Sequence, residues 1–276
     1  MNQTYLNENQ LLQSAIKLAN QWRIQGLWQD ALTLLNGIHP LAEKIDDAAR
    51  AQVYLNIGRV LTEEGMFAGK DNLATQHQAL EQALTIAQQT ENKRLLGDIY
   101  DALGFSTHAA YLAGDRSEEP KEELGLFERG LKLRKEAGTP SQIAESLFHV
   151  GLVYDVVRKE YDKAMPYHEE AYELAMESGD KITASYAIRH MGFAHIANKD
   201  FEAATDALTK SLTLREEAGF IPGAAFALVA LAHVNMMQEN KDEAQKFLVQ
   251  ARDLLVPLEA TARVEWLDGH IASLNE

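Results

Sequence analysis

Cysteine is absent from the 276-residue chain. That excludes a disulfide framework, a thiolate nucleophile and any cysteine-ligated zinc or iron–sulfur centre. Proline occurs only six times, mostly between helical patterns. Thr139-Pro140 reads as an N-cap followed by proline at the first helical position, where a missing N–H costs nothing. Pro120 and Pro222 likewise precede fresh amphipathic runs. No apolar run approaches the roughly 18–20 residues of a membrane span, and the opening MNQTYLNENQ lacks the basic and apolar regions of a signal peptide. A cytoplasmic protein with no membrane partner is therefore expected. Basic residues are short as well, with Lys+Arg 26 against Asp+Glu 41 and a net charge of −15. A chain built to neutralise nucleic-acid phosphates carries a basic patch, so no nucleic-acid partner is expected.

The apolar fraction of 46% is ordinary for a folded protein and excludes disorder of the whole chain. Apolar residues recur at three- and four-residue spacing, as in Leu147, Val150, Tyr154 and in Ile188, Met191, His195, which is the helical period. Alternation of period two is not sustained anywhere, so the expected fold is all-α.

Self-similarity sets the architecture. Residues 131–138 read LKLRKEAG and residues 212–219 read LTLREEAG, 81 residues apart, with LAMESGD at 174–180 near the midpoint. Small residues mark the middle of alternate helices at Ala19, Gly58, Gly104, Gly151, Gly192 and Ala232. The intervening helices carry Ile38, Ala83, Gly130, Ala171, Ser211 and Ala251, and each of the first five precedes the next marker by 20 or 21 residues. Helix pairs of near-constant length follow, stacked so that small residues permit close approach. The expected pairs span about 9–46, 47–92, 93–138, 139–179, 180–219 and 220–257, with a cap at 258–274, all in one domain of residues 1–276, residues 1–8 being flexible.

The run AIRHMGFAHIANKDFEAATDALTKSL (187–212) resembles the tetratricopeptide repeat, with Met191-Gly192, a Lys-Asp turn, Phe201, Ala204 and the small Ser211 at that family's spacing. Residues 147–171 and 231–251 carry the same signature. The period is near 40 rather than 34 residues, a long variety of the repeat. The likeness weakens in the first half, where Gly37 and Pro40 interrupt one helix. It implies a right-handed α-α superhelix whose inner surface binds other molecules. Two pairs are longer than the others, and the excess falls in the turns at 65–74 and 114–123. Surface turns tolerate such insertions; the sharper reading makes them lids or contacts over the groove.

A stripe at −6, −3, +1 and +4 from each central small residue faces away from the core and defines the expected groove. Its central and C-terminal members, with the flanking His149 and His190, are Arg59, Asp98, Asp101, Phe105, His108, Glu145, Phe148, His149, Leu152, Asp155, Tyr186, Arg189, His190, Phe193, Phe226, His233 and Met236. The middle is acidic and the last two pairs are aromatic and apolar. An apolar inner face marks either a binding groove or a surface buried by tight closure or by a homodimer. The acidic residues could serve acid–base chemistry, but a surface for a basic, partly apolar peptide is preferred. Repeat proteins of this family that clamp a terminal carboxylate use two Asn and three cations. Asn20 and Asn56 match, but Ile16, Asp98 and Ala102 stand where cations are needed, so that mode is not expected.

Nine histidines invite a metal search, and a His149–His190–His233 site is conceivable. Without an H-E-x-x-H pattern, no metal and no cofactor are expected. G-x-S-x-G, P-loop and dinucleotide motifs are missing too. Arg134 and Arg215 read as surface cations paired with Glu136 and Glu217. The expected function is a non-enzymatic module binding a protein or peptide segment, the alternative being a small-molecule sensor or enzyme using the central aromatic, histidine and acidic residues.

Overall fold

The computed structural model describes residues 7–114 and 116–274. Among them it shows helices and no strand. The chain runs α1 (Glu8–Gln25), α2 (Trp28–Ile45), α3 (Asp47–Glu63), α4 (Leu73–Ala87), α5 (Lys93–Ala113), α6 (Glu123–Ala137), α7 (Pro140–Leu152), α8 (Tyr161–Ser178), α9 (Lys181–Ala197), α10 (Phe201–Glu217), α11 (Ile221–Met237), α12 (Lys241–Leu255) and α13 (Thr261–Leu274). The flexible start expected at residues 1–8 lies mainly outside the described residues, although Glu8 already belongs to α1. None of these helices is long and apolar enough to cross a membrane.

Local chemistry sets the boundaries. Asn7 and Gln10 form a reciprocal capping box on α1, and Thr139 with Gln142 forms another on α7, ahead of Pro140 at the first turn. Asp46, Asp180 and Asp200 cap α3, α9 and α10 with side-chain oxygens. The stops at Gly179 and Gly219 lie at φ +76° and +66°, where a glycine ends a helix without the usual steric cost. One expectation fails here. Pro40 does not interrupt its helix; α2 runs through it unbroken. Pro166 likewise lies inside α8.

The helices pair in order and stack into an α-α superhelix. The central small residues receive the side chain of their partner helix. A Cβ on Gly58 would stand 2.5 Å from Leu80, and one on Gly104 would stand 2.6 Å from Phe127. Gly130 in turn admits the backbone of Asp101.

The superhelix closes on itself. Leu12, Ile16 and Ala19 of α1 share one apolar cluster with Phe220, Ala225 and Leu228 at the other end of the chain. The turn after α3 makes the seam. Phe67 is buried and packs edge-on against Phe220 at 5.6 Å and Phe226 at 5.0 Å. Beside it the Arg263 guanidinium of α13 donates to the Met66 carbonyl at 2.7 Å. The insertion at 65–74 is therefore a contact that shuts the ring.

Candidate functional site

Closure converts the expected groove into a narrow interior. A cavity of ≈ 80 Å³ is walled by residues of α1, α3, α5, α7 and α9. Arg59, Asp101, Phe105, Glu145, Phe148, His149 and Tyr186 of the expected stripe line it. Asp98 lies instead at a wider mouth of ≈ 410 Å³ beside Gln13, Gln52 and Arg94. His108, Leu152, Asp155 and His190 are buried in the body of the stack. Phe193 packs against the cluster around Leu208; Phe226 and Met236 pack against the closing cluster. His233 is exposed.

An open acidic and aromatic face is therefore not what this structure presents. Phe148 is 3% exposed and Asp101 1%, because Tyr186, His168 and His190 of α8 and α9 pack on the Phe148 ring and Arg134, Ser146 and His149 enclose the Asp101 carboxylate. The acidic middle is also neutralised from within. Arg134 of α6, read from sequence as a surface cation, is wholly buried. Its Nε donates to Asp98 at 2.9 Å and its Nη2 to Glu145 at 2.9 Å. Nη1 donates to Ser146 Oγ at 2.8 Å and pairs with Asp101 at 3.0 Å. Ser146 Oγ–H in turn donates a hydrogen bond to Asp101 at 2.7 Å, and His149 Nδ1 meets the other Asp101 oxygen at 2.9 Å. Burial works against the Asp101 carboxylate, yet Arg134 and His149 hold its pKa well below the usual range. Burial also opposes the Arg134 charge, and the three carboxylates overcome it. Glu136 and Glu217, the expected partners, bind Lys93 and Lys181 instead.

Arg215 of α10 is the repeat counterpart of Arg134 and is equally buried. Its Nη1 donates to the Gly223 carbonyl at 2.6 Å, as Arg134 Nη1 does to Gln142 at 3.1 Å. Where Arg134 meets carboxylates, however, Arg215 lies 4.7 Å over the Tyr186 ring and its Nη2 has no hydrogen-bond partner. Burial, with Arg189 adding, pushes its pKa down to about 9. Arg189 stacks over Phe193 at 4.5 Å, and burial pushes it down to about 10.

The two asparagines of the clamp pattern are spent on each other, Asn20 Nδ2 donating to Asn56 Oδ1 at 2.9 Å. Arg23 pairs with Glu63 across the same wall.

The conceivable three-histidine site is not assembled. His149 goes to Asp101, His233 faces outward, and His190 joins a residue that sequence reasoning passed over, His168 of α8. Asp155 stands in the π-helical turn Val153–Val157 that follows α7. Its Oδ2 receives His190 Nδ1 at 2.7 Å and His168 Nε2 at 2.9 Å. Asp155 Oδ1 is buried without a partner. Burial pushes His190 down to about 4, Asp155 opposing, so near neutral pH the ring is uncharged. The available signal was positional: His168 takes the place that Leu80, Phe127 and Leu208 take against the central glycines of other pairs. A second buried pair joins His108 to Glu123 at 2.7 Å.

No protein-family model matches the chain, and comparison with curated protein sequences finds no match. Solved structures do match. NprR in complex with its cognate peptide NprX gives a TM-score of 0.68 at 12% identity, over 95% of this chain and 73% of that one. A Rap protein complexed with Competence and Sporulation Factor gives 0.66 at 18% identity, over 98% and 67%. A signal-transduction ATPase of the STAND class with a tetratricopeptide-repeat sensor, from Pyrococcus horikoshii, gives 0.56 at 19% identity. The match covers 92% of this chain and 38% of that much longer protein. At these identities the likeness establishes the fold, an all-α superhelix of helical repeats.

Proposed function

We propose that the chain is a non-catalytic binding module that takes a peptide segment of a partner on its inner face. The observation that carries this reading is the seam. The cavity among the central helices is narrow, at ≈ 80 Å³, well below the 300–1,000 Å³ or so of a small-molecule pocket. The ring is shut by contacts between its two ends, Phe67 against Phe220 and Arg263 against Met66. Parting those ends frees Phe226 and Phe220 from Phe67, and with them the face on which Tyr186 packs against Phe220. A segment that binds this exposed face draws the protein toward the open state, since a ligand shifts a population by its differential affinity. The Rap and NprR structures, solved with Competence and Sporulation Factor and with a cognate peptide, share this architecture and support a peptide as the ligand class.

The charge preference differs from the basic, partly apolar ligand expected from the acidic middle of the stripe. Asp98, Asp101 and Glu145 are consumed by Arg134, whereas Arg189 has no carboxylate partner among the described residues. A ligand with apolar residues and a carboxylate fits this face better than a basic one. Native purification followed by mass spectrometry of bound peptides, and calorimetry with the peptide found, tests the reading. Binding that is weakened by Phe193→Asp, with folding intact, supports it; a peptide bound equally well by the variant removes the inner face as the site.

A further inference from the structure

Three metal-ligating side chains converge between the fourth and fifth helix pairs, each from a different segment. Asp155 comes from the π-helical turn, His168 from α8 and His190 from α9, and one ligand atom of each lies within 4.8 Å of the other two. All three are buried. The repeat pattern calls for none of them. His168 replaces the leucine or phenylalanine that packs on the central glycine elsewhere, and only Gly151 makes room for it, since a Cβ there would stand 2.7 Å from the imidazole. Asp155 occupies the place held by Ile196 and Met236 in the last two pairs. The π turn, with Arg158 N–H reaching Val153 O at 3.0 Å, inserts a residue into the helical register and thereby aims that carboxylate. Such turns recur at functional sites, and local departures from a repeat's own rule concentrate there.

Hydrogen bonding alone accounts for the cluster incompletely. Both imidazoles address the same oxygen, Oδ2, and leave Oδ1 bare in the interior, an arrangement that costs free energy. We propose that Asp155, His168 and His190 bind one divalent transition-metal ion of the zinc type. Two imidazole nitrogens and a carboxylate oxygen are a ligand set suited to Zn²⁺, with a fourth position left for water or a partner group. Ligand atoms around Zn²⁺, at bonds of about 2.0–2.2 Å, stand roughly 3.3 Å apart. The present 2.7 and 2.9 Å contacts need to open by only a few tenths of an ångström. One neighbour opposes the ion. Arg189 Nη1 lies 3.4 Å from His190 Nε2, so its charge weakens binding and its removal strengthens it. Among the described residues the other buried histidine–carboxylate pairs, His108–Glu123 and His149–Asp101, gather no third ligand.

The test uses the full chain stripped with chelator and titrated with Zn²⁺ by calorimetry and with Co²⁺ by visible absorption. One ion per chain and a tetrahedral Co²⁺ spectrum are expected. His168→Leu restores the residue type of the equivalent positions and so preserves folding; it should lower affinity by about 100-fold or more. His149→Gln should leave affinity unchanged, and Arg189→Met should raise it severalfold. Failure of the wild-type chain to bind either ion below millimolar concentration overturns the proposal, as does full affinity in His168→Leu. Unchanged or weaker binding in Arg189→Met shows that no ion charge sits beside the Arg189 guanidinium and counts against the proposal.

Discussion

Arg134 and Arg215 occupy the same place two repeats apart, both with no exposed surface, yet Arg134 lies among three carboxylates and Arg215 lies on an aromatic ring. The difference arises on the neighbouring helices, where Tyr186, Arg189 and Phe226 stand in the last pairs at the positions that Asp98, Asp101 and Glu145 hold in the middle ones. Removing one partner of a buried ionic cluster strands the others at a cost of about 3–5 kcal/mol. Arg134→Met should therefore destabilise the chain by that amount in urea denaturation. Arg215→Met removes an unneutralised buried charge while losing its bonds to Ser185 and Gly223, so it should cost at least about 2 kcal/mol less. Equal losses would show that the carboxylates contribute nothing through Arg134.

Acid should unfold the middle of the stack through the same cluster. The Asp101 and Glu145 pKa values are both lowered in the folded state, burial opposing and Arg134 prevailing. The unfolded chain thus takes up these protons at higher pH than the folded one. This stability is complete above the unfolded carboxylate range of about pH 4 and is lost as pH falls through it and below. Asp101→Asn should flatten the acid limb of a stability–pH curve below about pH 4. A curve parallel to wild type would contradict the pairing.

The helical period, the caps and the small residues at Gly58, Gly104, Gly151 and Gly192 made the stacked-pair architecture legible from sequence. Those features act between residues close in the chain or one repeat apart. The interior was not legible, for two physical reasons. Whether an inner face is open depends on the rotation summed over all pairs, and the contact that settles it, Arg263 to Met66, spans 197 residues. Arg134 was misread because a cation flanked by Lys132, Lys135 and Glu136 looks solvated, and only the next helix shows that it points inward. His168 was overlooked because it has no ligand partner at helical spacing on α8 itself.

Central glycines should differ in what they tolerate. A Cβ on Gly151 would stand 2.7 Å and 2.8 Å from atoms of the His168 ring and 3.1 Å from Tyr167, with both neighbours fixed. Gly151→Ala should cost about 1–3 kcal/mol by overpacking. At Gly192 the contacts are 3.2 Å from the flexible end of Leu208, and the roughly 1 kcal/mol gained in helix propensity offsets them. Gly192→Ala should therefore be near neutral in thermal denaturation, and an order reversed between the two would refute this account.

The seam yields the last prediction. Phe67 belongs to a turn insertion, the kind of segment whose substitution usually changes stability little, but it is 2% exposed and seated between Phe220 and Phe226 from the opposite end of the chain. Phe67→Ala should cost about 3–5 kcal/mol, the range of a buried core phenylalanine. Arg263→Met is milder, since it deletes one hydrogen bond to the Met66 carbonyl and leaves the apolar packing in place. Its effect should appear in shape rather than in stability. A closed 276-residue chain has a radius of gyration of about 19 Å, and small-angle scattering should show Arg263→Met shifted above wild type while its helix content is unchanged. If the radius does not move, the Arg263–Met66 contact is not needed for closure, and the packing of Phe67 on Phe220 and Phe226 holds the ring shut without it.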